Sequence, residues 1–283
     1  MLRLALQKSG RLSDQSVQLI RDCGIRFSRM DGKLRAVADN FPVELLYLRD
    51  DDIPGYVADG VAHAGIVGQN VVAEGGREVE TLNRLGFGKC RLALAVPKGT
   101  AYDSAASLAG AHIATSYPRI LGDFLLREGI EASIHEISGS VEIAPGIGLA
   151  DAICDLVSTG STLLSNGLRE LETIFRSEAV LISGRSMPDE QAAILDALRF
   201  RIDSVLRAQG YRYILLNAPN QNLDQVLAIL PGMKSPTVLP LADSGWSSVH
   251  SVIRDDEFWE VIDQLKAAGA QGMLIVPIEK MVI

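Results

Sequence analysis

The sequence predicts an α/β protein of two lobes with a small C-terminal domain of order βαββαβ. Three observations carry that prediction. Apolar, strand-like runs alternate with helical stretches through roughly the first 90 residues; the alternation restarts at Leu92; and beyond one long amphipathic segment the order of elements changes.

Taken in order, Leu2 to Leu6 reads as a strand, followed by a short loop holding Lys8, Gly10 and Arg11. A helix is expected from near Ser13, whose hydroxyl suits a cap. Val43 to Leu48 is a second strand, ending in the abrupt polar run Arg49 to Asp52. Helix Pro54 to Asp59 and strand Ala64 to Val67 complete the first alternation. A second lobe is read from strands at Leu92 to Val96, His112 to Thr115, Ser133 to Ile137 and Ala152 to Val157. After strand Ala179 to Ile182, the residues Ala192, Leu195, Leu198, Ile202, Val205 and Leu206 repeat at threes and fours, which marks one amphipathic helix over Pro188 to Gln209. The remainder reads as strand Tyr211 to Leu216, helix Leu223 to Leu230, strands Thr237 to Leu241 and Ser247 to Ile253, helix Glu257 to Ala268 and strand Met273 to Val276. That is a split βαβ, or ferredoxin-like, unit. Turns are expected at Asn217-Ala218-Pro219, Pro231-Gly232 and Asp243-Ser244-Gly245. The domains expected are a first lobe over 1–90 completed by about 168–187, a second lobe over 91–167, a connecting helix over 188–210 and a small domain over 211–283.

The chain of 283 residues is long enough for several cores. It contains no run of about 18 apolar residues, so no membrane span is expected. Its three cysteines, Cys23, Cys90 and Cys154, form no CxxC pair, which points to reduced thiols in a cytoplasm. A formal charge of −8 argues against nonspecific nucleic-acid binding, so any anionic ligand needs a local site. His63, His112, His135 and His250 lie far apart without metal-ligand spacing, and no catalytic role is assigned to them.

The most informative segment runs from Ala150 to Leu163. An apolar strand enters Ser158, Thr159, Gly160, Ser161 and Thr162, then a new helix begins. Such a turn offers backbone N–H groups and hydroxyls to a phosphate, and glycine lets the backbone come close. Asp155, just upstream, is placed to accept from the two hydroxyls of a ribose. Read by itself, the turn is equally a plain helix cap. Neither GxxxxGK[ST] nor GxGxxG is present, so the P-loop and dinucleotide readings lack their defining residues.

Glu142, Gly148 and the run Ala150 to Leu163 resemble the signature of the ATP phosphoribosyltransferases, in their long form. Gln7 to Leu12, Leu48 to Pro54, Gly65-Ile66-Val67-Gly68, Ile113 to Pro118 and the ending Val276 to Lys280 match the same family in order and spacing. The likeness covers essentially the whole chain. It implies a catalytic part shaped like type II periplasmic solute-binding proteins, with the active site between the lobes. It also implies that phosphoribosyl pyrophosphate and magnesium bind at the cradle, the 5-phosphate on Ser158 to Thr162 and the ribose hydroxyls on Asp155. The implied reaction is attack of N1 of ATP on C1 of the ribose, releasing pyrophosphate, as the first step of histidine biosynthesis.

That reaction asks the protein to position two polyanions and neutralise charge. Lys8, Arg11 and Arg49, each in a loop after a first-lobe strand, are suitable cations. The matching family position sets Tyr117 against adenine, with Glu142 and Arg91 as weaker ATP contacts. Asp50, Asp51 and Asp52 are candidates to assist magnesium or simply a solvated helix start; the metal ligands stay unknown, with magnesium held mainly through substrate phosphates. Ala62-His63-Ala64 and Gln69 depart from the family, which has acids there, and leave those two positions without a role.

In the long form the βαββαβ domain resembles an ACT domain that binds L-histidine as feedback inhibitor. The turn Pro231 to Thr237 carries this likeness and sets Met233 and Thr237 at the effector, with Asn217, Val252 and Gly272 at aligned positions. The resemblance implies a homo-oligomer, dimer to hexamer, with no separate regulatory subunit. The competing reading is a noncatalytic two-lobed small-molecule binding protein, which the cradle together with Lys8, Arg11 and Arg49 counts against; a second is an oligomerising scaffold, which leaves the cleft cations and the Asp155 to Thr162 segment without a purpose.

Overall fold

Three sheets carry the described strands, and each builds from apolar runs where the sequence is richest in them. The computed structural model describes residues 1–28, 33–230 and 232–283. It falls into two units, Met1–Ala197 and Leu198–Ile283.

In the first unit, β1 (Leu2–Gln7), β3 (Val43–Leu48) and β4 (Ala64–Gly68) run parallel, with β1 central. Leu2, Leu4, Ala5 and Leu6 are all inaccessible, as expected for a strand covered on both faces. The short β2 (Arg35–Val37) pairs antiparallel with β3. On the other side β11 (Ala179–Gly184) lies antiparallel between β4 and β5 (Val79–Arg84), giving the order β2-β3-β1-β4-β11-β5. Helices α1 (Arg11–Asp22), α2 (Ile53–Ala58) and α3 (Gln69–Gly75) follow β1, β3 and β4.

The second sheet has the order β10-β6-β9-β7-β8, from β6 (Cys90–Pro97), β7 (His112–Thr115), β8 (Ser133–Glu136), β9 (Ala152–Val157) and β10 (Leu168–Ser177). Strands β7, β8 and β9 are parallel, while β6 runs against β9 and β10. α4 (Pro118–Glu128) covers one face, starting on proline and ending at left-handed Gly129, the usual asymmetry of helix ends. α5 (Ser161–Ser165) is a single short helix after β9.

In the second unit, β12 (Tyr211–Pro219), α7 (Leu223–Ile229), β13 (Thr237–Pro240), β14 (Trp246–Arg254), α8 (Phe258–Ala267) and β15 (Gln271–Pro277) form one antiparallel sheet of order β13-β14-β12-β15. This is the expected βαββαβ unit. Alternate residues of β14, namely Ser247, Val249, Ser251 and Ile253, are buried, and Val226 and Leu265 of the two helices join that core. The long helix α6 (Asp189–Ala208) buries Leu195, Leu198, Ile202 and Val205, four of the residues whose spacing announced it. Among the described residues no helix is long and apolar enough to cross a membrane.

Three expectations need correction. Helix α1 opens at Arg11, not Ser13: Gly10 takes φ 92°, turning the chain out of β1 at once, and Ser13 is buried inside the first turn without capping. Segment 168–177 does not return to the first sheet; β10 pairs with β6, and the return occurs at Ala179. Asn217-Ala218-Pro219 is not a turn but the end of β12, paired with Trp246, Ser247 and Ser248, where proline is tolerated because the ladder stops. Of the expected turn at 231–232, Pro231 lies outside the described residues.

Candidate active site

Parallel strands present their following loops on one edge, and both sheets of the first unit do so. Gln7 of β1 lies opposite Leu48 of β3, and the N–H of Lys8 donates to the Leu48 carbonyl at 2.8 Å. Lys8 and Arg49 therefore leave the first sheet side by side, with Arg11 opening α1 beyond them, and all three side chains are exposed. Arg49 leads into a 3₁₀ turn, Asp50–Asp52. There burial first, then the adjoining Asp50 and Asp52, push the Asp51 carboxyl up.

On the second sheet, Thr115 of β7 pairs with Cys154 of β9, so Tyr117 and the segment from Ser158 emerge from neighbouring strands. Asp155 shares a strand face with Ile153 and Val157, whose core includes Leu163 of α5 and Val141. Its carboxylate accepts the Leu156 N–H at 2.8 Å. Burial nevertheless raises its pKa, and the negative charge of Glu142, on the 3₁₀ turn Val141–Ile143, raises it further.

Gly160 has φ 83° and caps α5 in the left-handed region, a conformation that glycine alone adopts freely. The hydroxyls of Thr159 and Ser161 lie 3.0 Å apart on the rim. The first turn of a helix leaves N–H groups for outside partners; here they belong to Thr162 and Leu163, while the Ser161 N–H donates to the Thr159 hydroxyl at 3.5 Å. Arg91 of β6 makes a two-point ion pair with Glu170 at 2.6 and 2.8 Å and donates to the Ser158 carbonyl at 3.3 Å. Its hydrogen bonds hold the Glu170 carboxyl below the usual range. Arg91 is thus a brace under the cradle.

A cavity of about 480 Å³ opens between the two edges, with Asp50, Asp51 and Glu74 on one side and Ser116, Tyr117 and Glu136 on the other. Burial raises the Tyr117 phenol well above its ordinary range, so it stays protonated at neutral pH. The structure brings Tyr117 and Asp155 close enough for Asp155 to reinforce that shift. Two residues that sequence reading passed over join the lobes. Glu74 of α3 accepts the N–H groups of Arg119 and Ile120 at 2.9 and 3.0 Å, capping α4 from the other lobe. Asn70 donates to the Tyr117 hydroxyl at 3.2 Å. The only sequence signal was a polar pair following the strand at Gly68.

The residues without a role find structural ones. His63 accepts the Arg3 N–H on Nδ1 at 2.8 Å, with burial lowering its pKa, and Gln69 accepts from Arg84 at 3.3 Å.

In the second unit a cavity of about 250 Å³ gathers Met233 and Val252 with Tyr211 and Leu230. Thr237 lies on β13 opposite His250, and Asn217 sits against Gly272 toward the other end of β12. The strand register keeps these three off that cavity.

A family model described as ATP phosphoribosyltransferase matches residues 49–204, and a second, for the C-terminal domain of the same family, matches 208–280. The chain belongs to the ATP phosphoribosyltransferase family. A family member from Cytophaga hutchinsonii is 60% identical over 99% of this chain and 98% of its own length, and one from Parabacteroides distasonis is 54% identical over both chains entire. Among solved structures, the ATP phosphoribosyl transferase (HisG:HisZ) complex from Thermotoga maritima superposes with a TM-score of 0.59 at 28% identity, covering 72% of this chain and 99% of that one. Membership makes this chain a pentosyltransferase of the first step of histidine biosynthesis, with ATP and phosphoribosyl pyrophosphate as substrates. The noncatalytic reading is not favoured.

Proposed function

We propose that this chain joins N1 of ATP to C1 of phosphoribosyl pyrophosphate in the cleft of its first unit, and that L-histidine inhibits it through the second. The observation that supports this assignment best is convergence. Cations leave one sheet edge, the Ser158 to Thr162 turn and Asp155 leave the other, and a 480 Å³ cavity is lined by Asp50 and Asp51, next to Arg49 in the chain, and by Ser116 and Tyr117, which follow the strand paired with β9.

In this reading the hydroxyls of Ser158, Thr159, Ser161 and Thr162 and the N–H groups beyond Gly160 hold the 5-phosphate, and Asp155 accepts from the ribose hydroxyls. Tyr117 lays its ring on adenine, with Glu142 near the amino group; Arg91 acts through the Ser158 carbonyl. Lys8, Arg11 and Arg49 meet the pyrophosphate. The N1 lone pair forms the N–C bond as the C–O bond to pyrophosphate breaks, and the electron pair leaves with that anion. The enzyme need form no covalent bond; it aligns the two substrates and neutralises charge.

The cofactor proposed is Mg2+. Among the described residues no three His, Cys, Asp or Glu side chains cluster as metal ligands. Carboxylates in ones and twos, such as Asp50, Asp51 and Asp155, suit a magnesium that keeps its waters and the substrate phosphates as ligands. When bound, it would offset the charge of the departing pyrophosphate.

Met233 and Val252, on one cavity, are the effector residues this reading favours, with Thr237, Asn217 and Gly272 less directly placed. The same reading makes the chain a cytoplasmic homo-oligomer, dimer to hexamer, without a separate regulatory subunit. The test is ultraviolet absorbance of the purified chain with ATP, phosphoribosyl pyrophosphate and magnesium, since substitution at N1 changes the adenine chromophore. A rise that needs all three and is suppressed by L-histidine is expected; no rise from protein that binds both substrates would sink the proposal.

A further inference from the structure

Asn70 is buried, 5% exposed, in the first turn of α3, and every polar group of its side chain is engaged. Its backbone N–H donates to the Ser177 hydroxyl at 3.0 Å, and that hydroxyl donates to Asn70 Oδ1 at 2.8 Å. In this exchange the serine gives its one proton to Oδ1 and accepts on a lone pair. The remaining group, Nδ2, donates to the Tyr117 hydroxyl at 3.2 Å.

The three residues belong to different parts of the first unit. Ser177 ends β10 in the second sheet, immediately before the chain returns to the first sheet in β11. Asn70 follows β4 of the first sheet, and Tyr117 caps α4 on the second and faces the 480 Å³ cavity. Gly68 completes the arrangement, because a Cβ there would collide with Oδ1 of Asn70. Only a glycine before α3 lets the amide fold back into this position.

We propose that Asn70, locked by Ser177 at the strand crossing, is a positioning residue that sets the Tyr117 ring for its nucleotide substrate. A donor on the phenol oxygen restrains the swing of the ring about its first side-chain torsion, and so fixes where the ring sits. The inference rests on the reading that Tyr117 meets ATP, and the experiment separates the two.

Steady-state rates of the full chain are measured with varied ATP at saturating phosphoribosyl pyrophosphate, for Asn70→Leu, Tyr117→Phe, the double variant and Tyr117→Ala. Asn70→Leu and Tyr117→Phe are each expected to raise KM for ATP roughly threefold to tenfold, the range one net hydrogen bond supports, with kcat within about twofold. The double variant is expected to match the singles, because both cut one tether. Tyr117→Phe leaves the Asn70–Ser177 pair intact, so it tests the tether even if Asn70→Leu fails to fold. Equal KM in Tyr117→Phe and the parent, with Tyr117→Ala raised, overturns the tether and keeps the ring contact. Multiplying effects in the double variant also overturn it. An unchanged KM in Tyr117→Ala overturns the ATP reading itself.

Discussion

Replacing Asp155 with asparagine changes the charge of one side chain and almost nothing of its shape. The bond from the Leu156 N–H to Oδ1, 2.8 Å, survives in the variant because an amide oxygen also accepts. On the proposed assignment, what changes is the strength of the bonds from two ribose hydroxyls. A hydrogen bond to a charged acceptor contributes about 1.5–3 kcal/mol and a neutral one about 0.5–1.5, so each bond loses about 1–1.5 kcal/mol. Two bonds lose about 2–3 kcal/mol, or roughly 30- to 150-fold in kcat/KM for phosphoribosyl pyrophosphate. Stability should move the other way or not at all. Burial raises the Asp155 pKa in the folded chain, so ionisation opposes folding above that pKa, and the asparagine variant is free of the penalty. The sign for substrate is opposite: hydroxyls donating to the carboxylate favour its ionised form. Affinity for the pyrophosphate substrate should therefore rise with pH through the raised Asp155 pKa, and this component should vanish in the variant. The assay is phosphoribosyl-ATP absorbance across pH, beside urea unfolding of both proteins. A variant that loses several kcal/mol of stability, or keeps its kcat/KM, refutes the reasoning.

Gly160→Ala isolates the backbone of the cradle. The nearest atom to a new Cβ is Val157 Cγ1 at 3.9 Å, so no clash contributes, and the left-handed conformation alone should cost about 1–2 kcal/mol in urea unfolding. KM for phosphoribosyl pyrophosphate should rise along with that loss. Met233→Asp sets a charge against the apolar wall formed with Val252 and Leu230; inhibition by L-histidine should weaken at least about tenfold while the uninhibited rate stays within about twofold, and unaltered inhibition would move the effector away from this cavity.

How much of this was legible depended on whether the signal was local. Strands β7 and β9 match the sequence reading residue for residue because each has an apolar centre flanked by turn residues, and those centres, Ile113-Ala114 and Ala152-Ile153-Cys154, are buried on either face. Strand β10 escaped notice because Leu168 to Ser177 mixes arginines and glutamates with apolar residues, a pattern as compatible with a helix as with an edge strand. The start of α1 was misplaced because a serine cap is a sequence signal, whereas a glycine at φ 92° is a property of the finished turn. Asn70 and Glu74 were invisible for a further reason. Their partners lie 47 and about 45 positions away, on the other lobe, and nothing along the chain marks a carboxylate that caps a distant helix.

The distribution of charge explains why the work is divided between two edges. The chain carries a net charge of −8 and places Asp50, Asp51, Glu74 and Glu136 around the cavity, yet its substrates are polyanions. An overall field of this sign repels both of them, so capture depends on short-range donors. On the proposed assignment, Lys8, Arg11 and Arg49 take the group that departs as an anion, while the second sheet holds the phosphate that stays with hydroxyls and N–H groups. The separation has a chemical logic. Fixed positive charge is placed where negative charge grows during the reaction, and neutral donors where the charge does not change. Asp51 is pushed up by burial and by its two aspartate neighbours, and on the proposed assignment such a site favours a polyanion that arrives with a cation.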